Sequence, residues 1–182
     1  MTTLRVITPP IAEPVSLETA KEYLRVDSNY EDALVESLVR SAREMGEELA
    51  RRAFMTQTLE MVVDDFPPDF VMALLRPPLQ SVTSVKYYDS DNTEAIWTDY
   101  EVDTRSEPGR LIFNSAPGVS LLESGGVVVR YVAGYGDNES DVPDRIKLAI
   151  LAAVAYLYEN RWSVEIPKEI KNAFIGERVV WF

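Results

Sequence analysis

Arg130-Tyr131-Val132-Ala133-Gly134-Tyr135-Gly136, followed through a polar loop by Val142-Pro143 and then by a nearly all-apolar run closing on Tyr158-Glu159-Asn160-Arg161, is the stretch that decides the fold. Strand alternation stops at two glycines. Pro143 suits the first turn of a helix, where its missing N–H would be unbonded in any case, and Asp144 suits the positive end of the helix dipole. Within that helix Ala149, Ala152, Ala153 and Ala155 interleave with Ile146, Ile150, Leu151, Val154 and Leu157. A helix apolar on both broad faces is buried by something. The pattern therefore predicts packing inside a bundle and against copies of the chain. Ala149 and Ala153, small and four residues apart, are the candidate positions for close helix approach, and Arg161 is a candidate for ion pairing at the same interface.

Upstream of Arg130 the chain has two regimes. Ser16 is a plausible N-cap for a short helix from Leu17 to about Arg25, ended by Asp27-Ser28-Asn29. A longer helix is expected from about Glu31 to Arg52, with Leu34, Leu38, Ala42, Met45 and Leu49 on one face. Glu36/Arg40, Glu47/Arg51 and Glu48/Arg52 are expected as ion pairs on its outer face. From Thr56 the period becomes two and β-branched and aromatic residues take over. Short strands are expected over Thr56–Val63, Phe70–Leu75, Val82–Tyr88, Ala95–Trp97, Tyr100–Thr104, Arg110–Phe113 and Val127–Val132. Glu107-Pro108-Gly109-Arg110 reads as a type II turn between two of them. The organisation expected is thus an extended N-terminal arm over 1–15, a helical part over 16–55, an inserted antiparallel β-domain over 56–136, a bundle helix over 137–162 and a C-terminal tail over 163–182. The fold class is α+β.

Composition narrows function mainly by exclusion. The 182 residues are 46% hydrophobic and 26% charged, which describes a globular chain and not a disordered one. With neither Cys nor His, thiol nucleophiles, Ser-His-Asp triads and almost all zinc sites are ruled out. No secretion signal opens the sequence and the longest apolar run, Leu148 to Tyr158, is too short to span a bilayer. Synthesis in the cytoplasm, with no membrane partner, is the expectation. A net charge of −12 argues against a sequence-reading DNA binder, since phosphate contacts need clustered Lys and Arg.

Several blocks, in order, carry a family resemblance: Pro14-Val15-Ser16-Leu17-Glu18-Thr19-Ala20-Lys21 with Leu24-Arg25-Val26-Asp27, then Glu31-Asp32-Ala33-Leu34, Thr56-Gln57-Thr58, Arg76-Pro77-Pro78-Leu79-Gln80-Ser81-Val82, Ser106-Glu107-Pro108-Gly109-Arg110, Tyr131-Val132-Ala133-Gly134-Tyr135-Gly136, Val142-Pro143 and Tyr158-Glu159-Asn160-Arg161. In this order the chain resembles the head-to-tail connector (head completion) adaptors of tailed double-stranded DNA phages. That resemblance implies a helical bundle with an inserted β-domain and no enzymatic activity. It implies a ring of about a dozen copies beneath the portal protein, at the head-tail junction of the virion, meeting a head-closure or tail protein while genomic DNA passes through the lumen. Residues 164–182 match no block of the family.

Other motifs compete with this reading. Asp64-Asp65 and Asp69 could serve a carboxylate-dependent hydrolase, but beside Phe66-Pro67-Pro68 they read as solvated turn residues. Asp89-Ser90-Asp91-Asn92-Thr93 begins like a calcium loop yet has Glu94 where glycine is needed and Tyr100 where the bidentate glutamate belongs. Tyr87, Tyr88, Trp97 and Tyr100 could form a carbohydrate- or receptor-binding platform on a β-sandwich, the main alternative function, although strand spacing favours cross-strand packing. Gly134-Tyr135-Gly136 lacks the lysine of a phosphate loop, and the sequon Asn138-Glu139-Ser140 carries no weight without a secretion signal. Val180, Trp181 and Phe182 are candidate partner contacts, on the expectation that the segment after Trp162 reaches outward to add a strand to a neighbour. Removal of that segment is then expected to leave a folded protein. No metal or cofactor is expected, so the melting temperature should not change on addition of a chelator; a chelator-induced shift would show a bound ion stabilising the native state.

Overall fold

The computed structural model describes residues 1–163 and 165–179. The chain divides into a β-unit, formed by Met1–Pro9 with Thr56–Gly134, and a helical unit, formed by Pro10–Met55 with residues 135–179. The strands in chain order are β1 (Thr2–Thr8), β2 (Gln57–Val63), β3 (Val71–Ala73), β4 (Leu79–Tyr88), β5 (Glu94–Trp97), β6 (Tyr100–Asp103), β7 (Arg110–Phe113) and β8 (Val127–Ala133). They form a five-stranded sheet, β1-β2-β8-β4-β5, and a three-stranded sheet, β3-β7-β6. Every pairing is antiparallel.

Strand β8 lies at the centre of the larger sheet, and its alternation is the period of two seen in the sequence. Val127, Val129, Tyr131 and Ala133 are fully buried on the inner face, while Arg130 points outward to Glu60 at 2.7 Å. The Tyr131 hydroxyl donates to the Leu75 carbonyl at 2.7 Å, and burial pushes its pKa up. Gly134, at φ 131°, ends the strand in a conformation that L side chains rarely adopt. The helical unit starts at the next residue, where the Tyr135 N–H donates to the Phe54 carbonyl.

Two expectations for this unit are corrected. Residues 2–8 are extended, as expected, but form the edge strand of the larger sheet in place of an arm, paired with β2 from Thr2 opposite Val63 to Thr8 opposite Thr58. The β-branched run Val6-Ile7-Thr8 suits a strand, and Pro9 and Pro10 follow where it stops. The Glu107–Gly109 corner is not a type II turn, because Glu107-Pro108 is cis and Gly109 does not take a positive φ. Glycine is needed there for close approach, since a Cβ would lie 2.4 Å from Leu79 Cβ. The aromatics pack within the unit, as strand spacing suggests. Phe66 sits edge-on to Trp97 and to Phe113, with Tyr87 against Trp97 and Tyr100 against Phe113.

The helices are α1 (Leu17–Leu24), α2 (Asp32–Ala50), α3 (Asp144–Glu159) and α4 (Lys168–Ile175). Ser16 caps α1 by accepting the Thr19 N–H at 3.1 Å. Arg25 and Arg51, both left-handed, end α1 and α2. The buried stripe of α2 is Val35, Val39, Ala42, Arg43, Gly46, Glu47 and Ala50, one position round from the expected face; Leu34 is exposed, and Leu38, Met45 and Leu49 are half-buried. The rotation places two charged residues inside, so Glu47 does not lie on the outer face as expected. Arg43 Nε donates to Glu13 at 2.7 Å and Arg43 Nη1 to Glu47 at 3.0 Å, while the other oxygen of Glu47 accepts the Phe54 N–H at 2.7 Å. Burial pulls the Arg43 pKa down, but the hydrogen bond to Glu13 and the charges of Glu47, Glu13 and Glu44 more than offset it. Arg43 stays a cation and joins the entry of the chain into the bundle, α2 and the turn after α2.

The segment after Trp162 also departs from expectation. It does not reach outward over residues 166–179: Ile166, Phe174 and Val179 are buried, and Phe174 stacks on Phe54 at 6.2 Å. Arg52 donates to the Glu177 carbonyl, and Arg145 pairs with Glu177 at 3.2 Å. Helix α4 therefore belongs to the bundle, because Ile170 and Phe174, four residues apart, give it an apolar face, with Ile166 packed into the same core just before it. Gly46 makes room for it, since a Cβ there would lie 2.6 Å from Phe174 and 2.8 Å from Phe54.

Two outcomes follow for stability. Gly46→Ala gains helix propensity but overpacks the Phe54–Phe174 stack, and should lose about 1 to 3 kcal/mol on balance in chemical denaturation. Truncation after Trp162 should give a destabilised or unfolded product by circular dichroism, the reverse of the outcome expected from sequence.

Candidate assembly interface

The residues singled out in the sequence separate into three groups. Ala149 and Ala153 lie inside the helical unit, 5% and 0% exposed, on the buried stripe of α3 with Ile146, Ile150, Val154 and Leu157. Their small size serves helix packing within the chain. The opposite face of α3 carries exposed Leu148 and half-buried Ala152 and Ala155, an apolar strip. Val180, Trp181 and Phe182 lie outside the described residues.

Arg161 is engaged within its own unit. It pairs with Glu31 at 2.5 Å and lies over the Tyr158 ring at 5.3 Å, while the Tyr158 hydroxyl donates to the same carboxylate. The hydrogen bonds from Tyr158 and Arg161 hold Glu31 below the usual carboxylate range, and the same contacts raise the pKa of Tyr158 and Arg161. Tyr30 and Trp162, the neighbours in sequence of this pair, are 98% and 100% exposed. The end of the bundle where α3 stops thus presents two bare aromatics beside a neutralised ion pair.

The carboxylates considered for catalysis each accept hydrogen bonds from nearby amino or backbone N–H groups. Asp64 accepts the amino terminus and the Gly125 N–H, the latter at 3.0 Å; Asp65 accepts the Phe66 N–H and Asp69 the Val71 N–H. Asp89 accepts the Asp91 and Thr93 N–H groups at the β4–β5 hairpin tip. Among the described residues no group of three or more His, Cys, Asp or Glu could hold a metal ion, and no helix is long and apolar enough to cross a membrane.

A feature that the sequence reading missed lies on α2. At 100° per residue, Glu36, Val39 and Arg40 point to one side of the helix and Met45, Glu48 and Leu49 point roughly 180° away. Each side borders an open groove in the helical unit. The first, about 570 Å³, has Val15, Leu17 and Val39 as its apolar lining and Glu13, Glu36, Asp137 and Glu139 as acids against the single base Arg40. The second, about 610 Å³, has Met45, Leu49, Ile166 and Ile175 as lining, with Arg51, Lys171 and Arg178 as bases against Glu48 and Glu165. Lys171 takes up Glu165 at 3.5 Å and Arg40 approaches Glu13 at 4.0 Å. Among the described residues no ion pair involves Glu36, Asp137, Glu139, Arg51 or Arg178. The helical unit is electrically two-sided. Helical periodicity could have exposed this, but the ion pairs expected on α2 had assigned those charges to each other.

The helical unit thus combines small residues buried in its own core with two open grooves of opposite charge. The head completion protein family model matches residues 13–171, and the chain belongs to that family. None of the curated proteins is detectably similar. Among solved structures, a chain from the virion of a native gene transfer agent particle aligns with TM-score 0.81 and 19% identity, covering 99% of this chain and 97% of the other. A chain from the neck of the empty particle computed with C6 symmetry gives 0.79 and 20%, and one from the neck of the native particle computed with C12 symmetry gives 0.72 and 19%, with the same coverages. At these identities the likeness establishes the fold.

The Glu31 site gives a pH dependence with a definite sign. A carboxylate held low in the folded state contributes stability above the ordinary carboxylate range and loses it as pH falls through its folded pKa. Glu31→Gln should therefore lower the melting temperature at neutral pH, and the gap to the parent should narrow as pH drops below the usual carboxylate range. An undiminished gap in acid would assign the loss to packing instead.

Proposed function

We propose that this chain is a structural adaptor at the head-tail junction of a phage-like particle, forming a ring of about twelve copies between the portal and a head-closure or tail protein. The observation that carries the reading is the head completion family match over residues 13–171, together with a fold shared end to end with a neck component of a gene transfer agent particle. The self-association it requires is supported by the apolar outer strip of α3 and by the two-sided charge of α2. The proposed role is geometric and electrostatic. Subunits carrying −12 each give a ring with a strongly negative field, and where acids face the lumen, DNA is repelled and slides. No side chain acts as a catalyst in this account.

Particles assembled without this chain should accumulate heads and tails that stay unjoined, and adding the purified protein should restore joined particles. Normal joining in its absence would overturn the proposal. The protein should also bind duplex DNA no tighter than the non-specific range of about 10⁻⁴ to 10⁻⁶ M at physiological salt, as measured by fluorescence anisotropy.

A further inference from the structure

The two grooves on α2 say how one copy meets the next. A ring requires a heterologous contact, in which one patch of a subunit meets a different patch of its neighbour, and such patches must be complementary and face away from each other. The helical unit carries such a pair: an acid-rimmed groove on the Glu36–Val39–Arg40 side of α2 and a base-rimmed groove on the Met45–Glu48–Leu49 side. Both have apolar linings to be covered. In a chain of net charge −12, the flank where Arg51, Lys171 and Arg178 outnumber Glu48 and Glu165 is one where an acidic neighbour meets a net positive rim. Among the described residues no ion pair involves Glu36, Asp137, Arg51 or Arg178, and each lines one of the two grooves. Ile175, 42% exposed at the edge of the basic groove, supplies an apolar side chain that can project across the contact.

We infer that the acid-rimmed flank of each helical unit docks on the base-rimmed flank of the next copy, Glu36 and Asp137 of one subunit facing Arg51 and Arg178 of its neighbour. The contact repeats head to tail and closes the ring. The inference rests on the ring reading above but goes beyond it, since a ring could equally be built through the outer strip of α3 or an edge strand of the β-unit. Electrostatic complementarity of this kind fixes partner and register, and rising salt weakens it.

Paired charge reversal tests it on the full-length chain. One variant, Glu36→Lys with Asp137→Lys, makes both flanks basic; the other, Arg51→Glu with Arg178→Glu, makes both acidic. Each alone should fold, with circular dichroism like the parent, and should remain unassembled in sedimentation velocity and in neck complementation. Mixed in equal amounts, the two should assemble again, because alternating subunits restore opposite charge at every contact. Rings formed by either variant alone as readily as by the parent, or no recovery in the mixture of two folded variants, would overturn the flank pairing. Failure of the parent itself to form rings, both in solution and in particles, would overturn the ring reading instead, so the two failures are distinguishable.

Discussion

The buried Arg43–Glu47 pair, extended to Glu13 and to the Phe54 N–H, is the constraint on which the helical unit depends. Desolvating two charges costs several kcal/mol per ion, and the cost is offset only when nearly every donor and acceptor is taken. Glu47 meets that condition by binding Arg43 with one oxygen and the Phe54 backbone with the other, and Arg43 meets it by reaching Glu13. The network is useful because of what it connects. Glu13 lies where the chain enters the bundle from the β-unit, and Phe54 where it is about to leave. With Phe54 held, its ring can stack on Phe174, and Gly46 supplies the space for that stack. The position of α4, and with it one wall of the basic groove, follows from a charge pair on the neighbouring helix.

Much of the architecture was readable because period and punctuation agree. The shift from 3.6 to 2 near Thr56 and the glycines at 134 and 136 mark changes of element, and the Ser16 cap forms as its residue type suggests. The readings that failed did so where local chemistry gave the weaker signal. Residues 1–15 were expected as an extended arm, but cross-strand pairing of Thr2–Thr8 with β2 was a long-range gain that no local pattern announces. Glu47 looked like a solvent-facing charge paired with Arg51, since nothing in sequence shows that Arg43 and the Phe54 N–H take up its two oxygens. Gly109 looked like a turn former and is instead a contact residue against Leu79.

The candidate site was less legible than the fold. Ala149 and Ala153 carry the small-residue spacing of an interface, yet that spacing serves equally for packing inside one chain, and the bundle uses it so. Arg161 was chosen for its place at a helix end, where Glu31 of the same chain already meets it. The surfaces that suit assembly depend on which charges remain without a partner once the chain has folded. That is a property of the tertiary arrangement: Glu36 and Arg51 became candidates for the inferred contact only after the expected partner of each had been placed elsewhere.

The central claim is that this member of the head completion family works as a closed ring of identical subunits, its helical units touching head to tail. The most direct measurement is the symmetry of the density at the neck of assembled particles containing this chain, imaged by electron cryomicroscopy without imposed symmetry. The account predicts about twelve copies around a continuous channel, with the acidic flank of each helical unit against the basic flank of the next. A single copy, an open chain of subunits, or helical units that do not touch would contradict it.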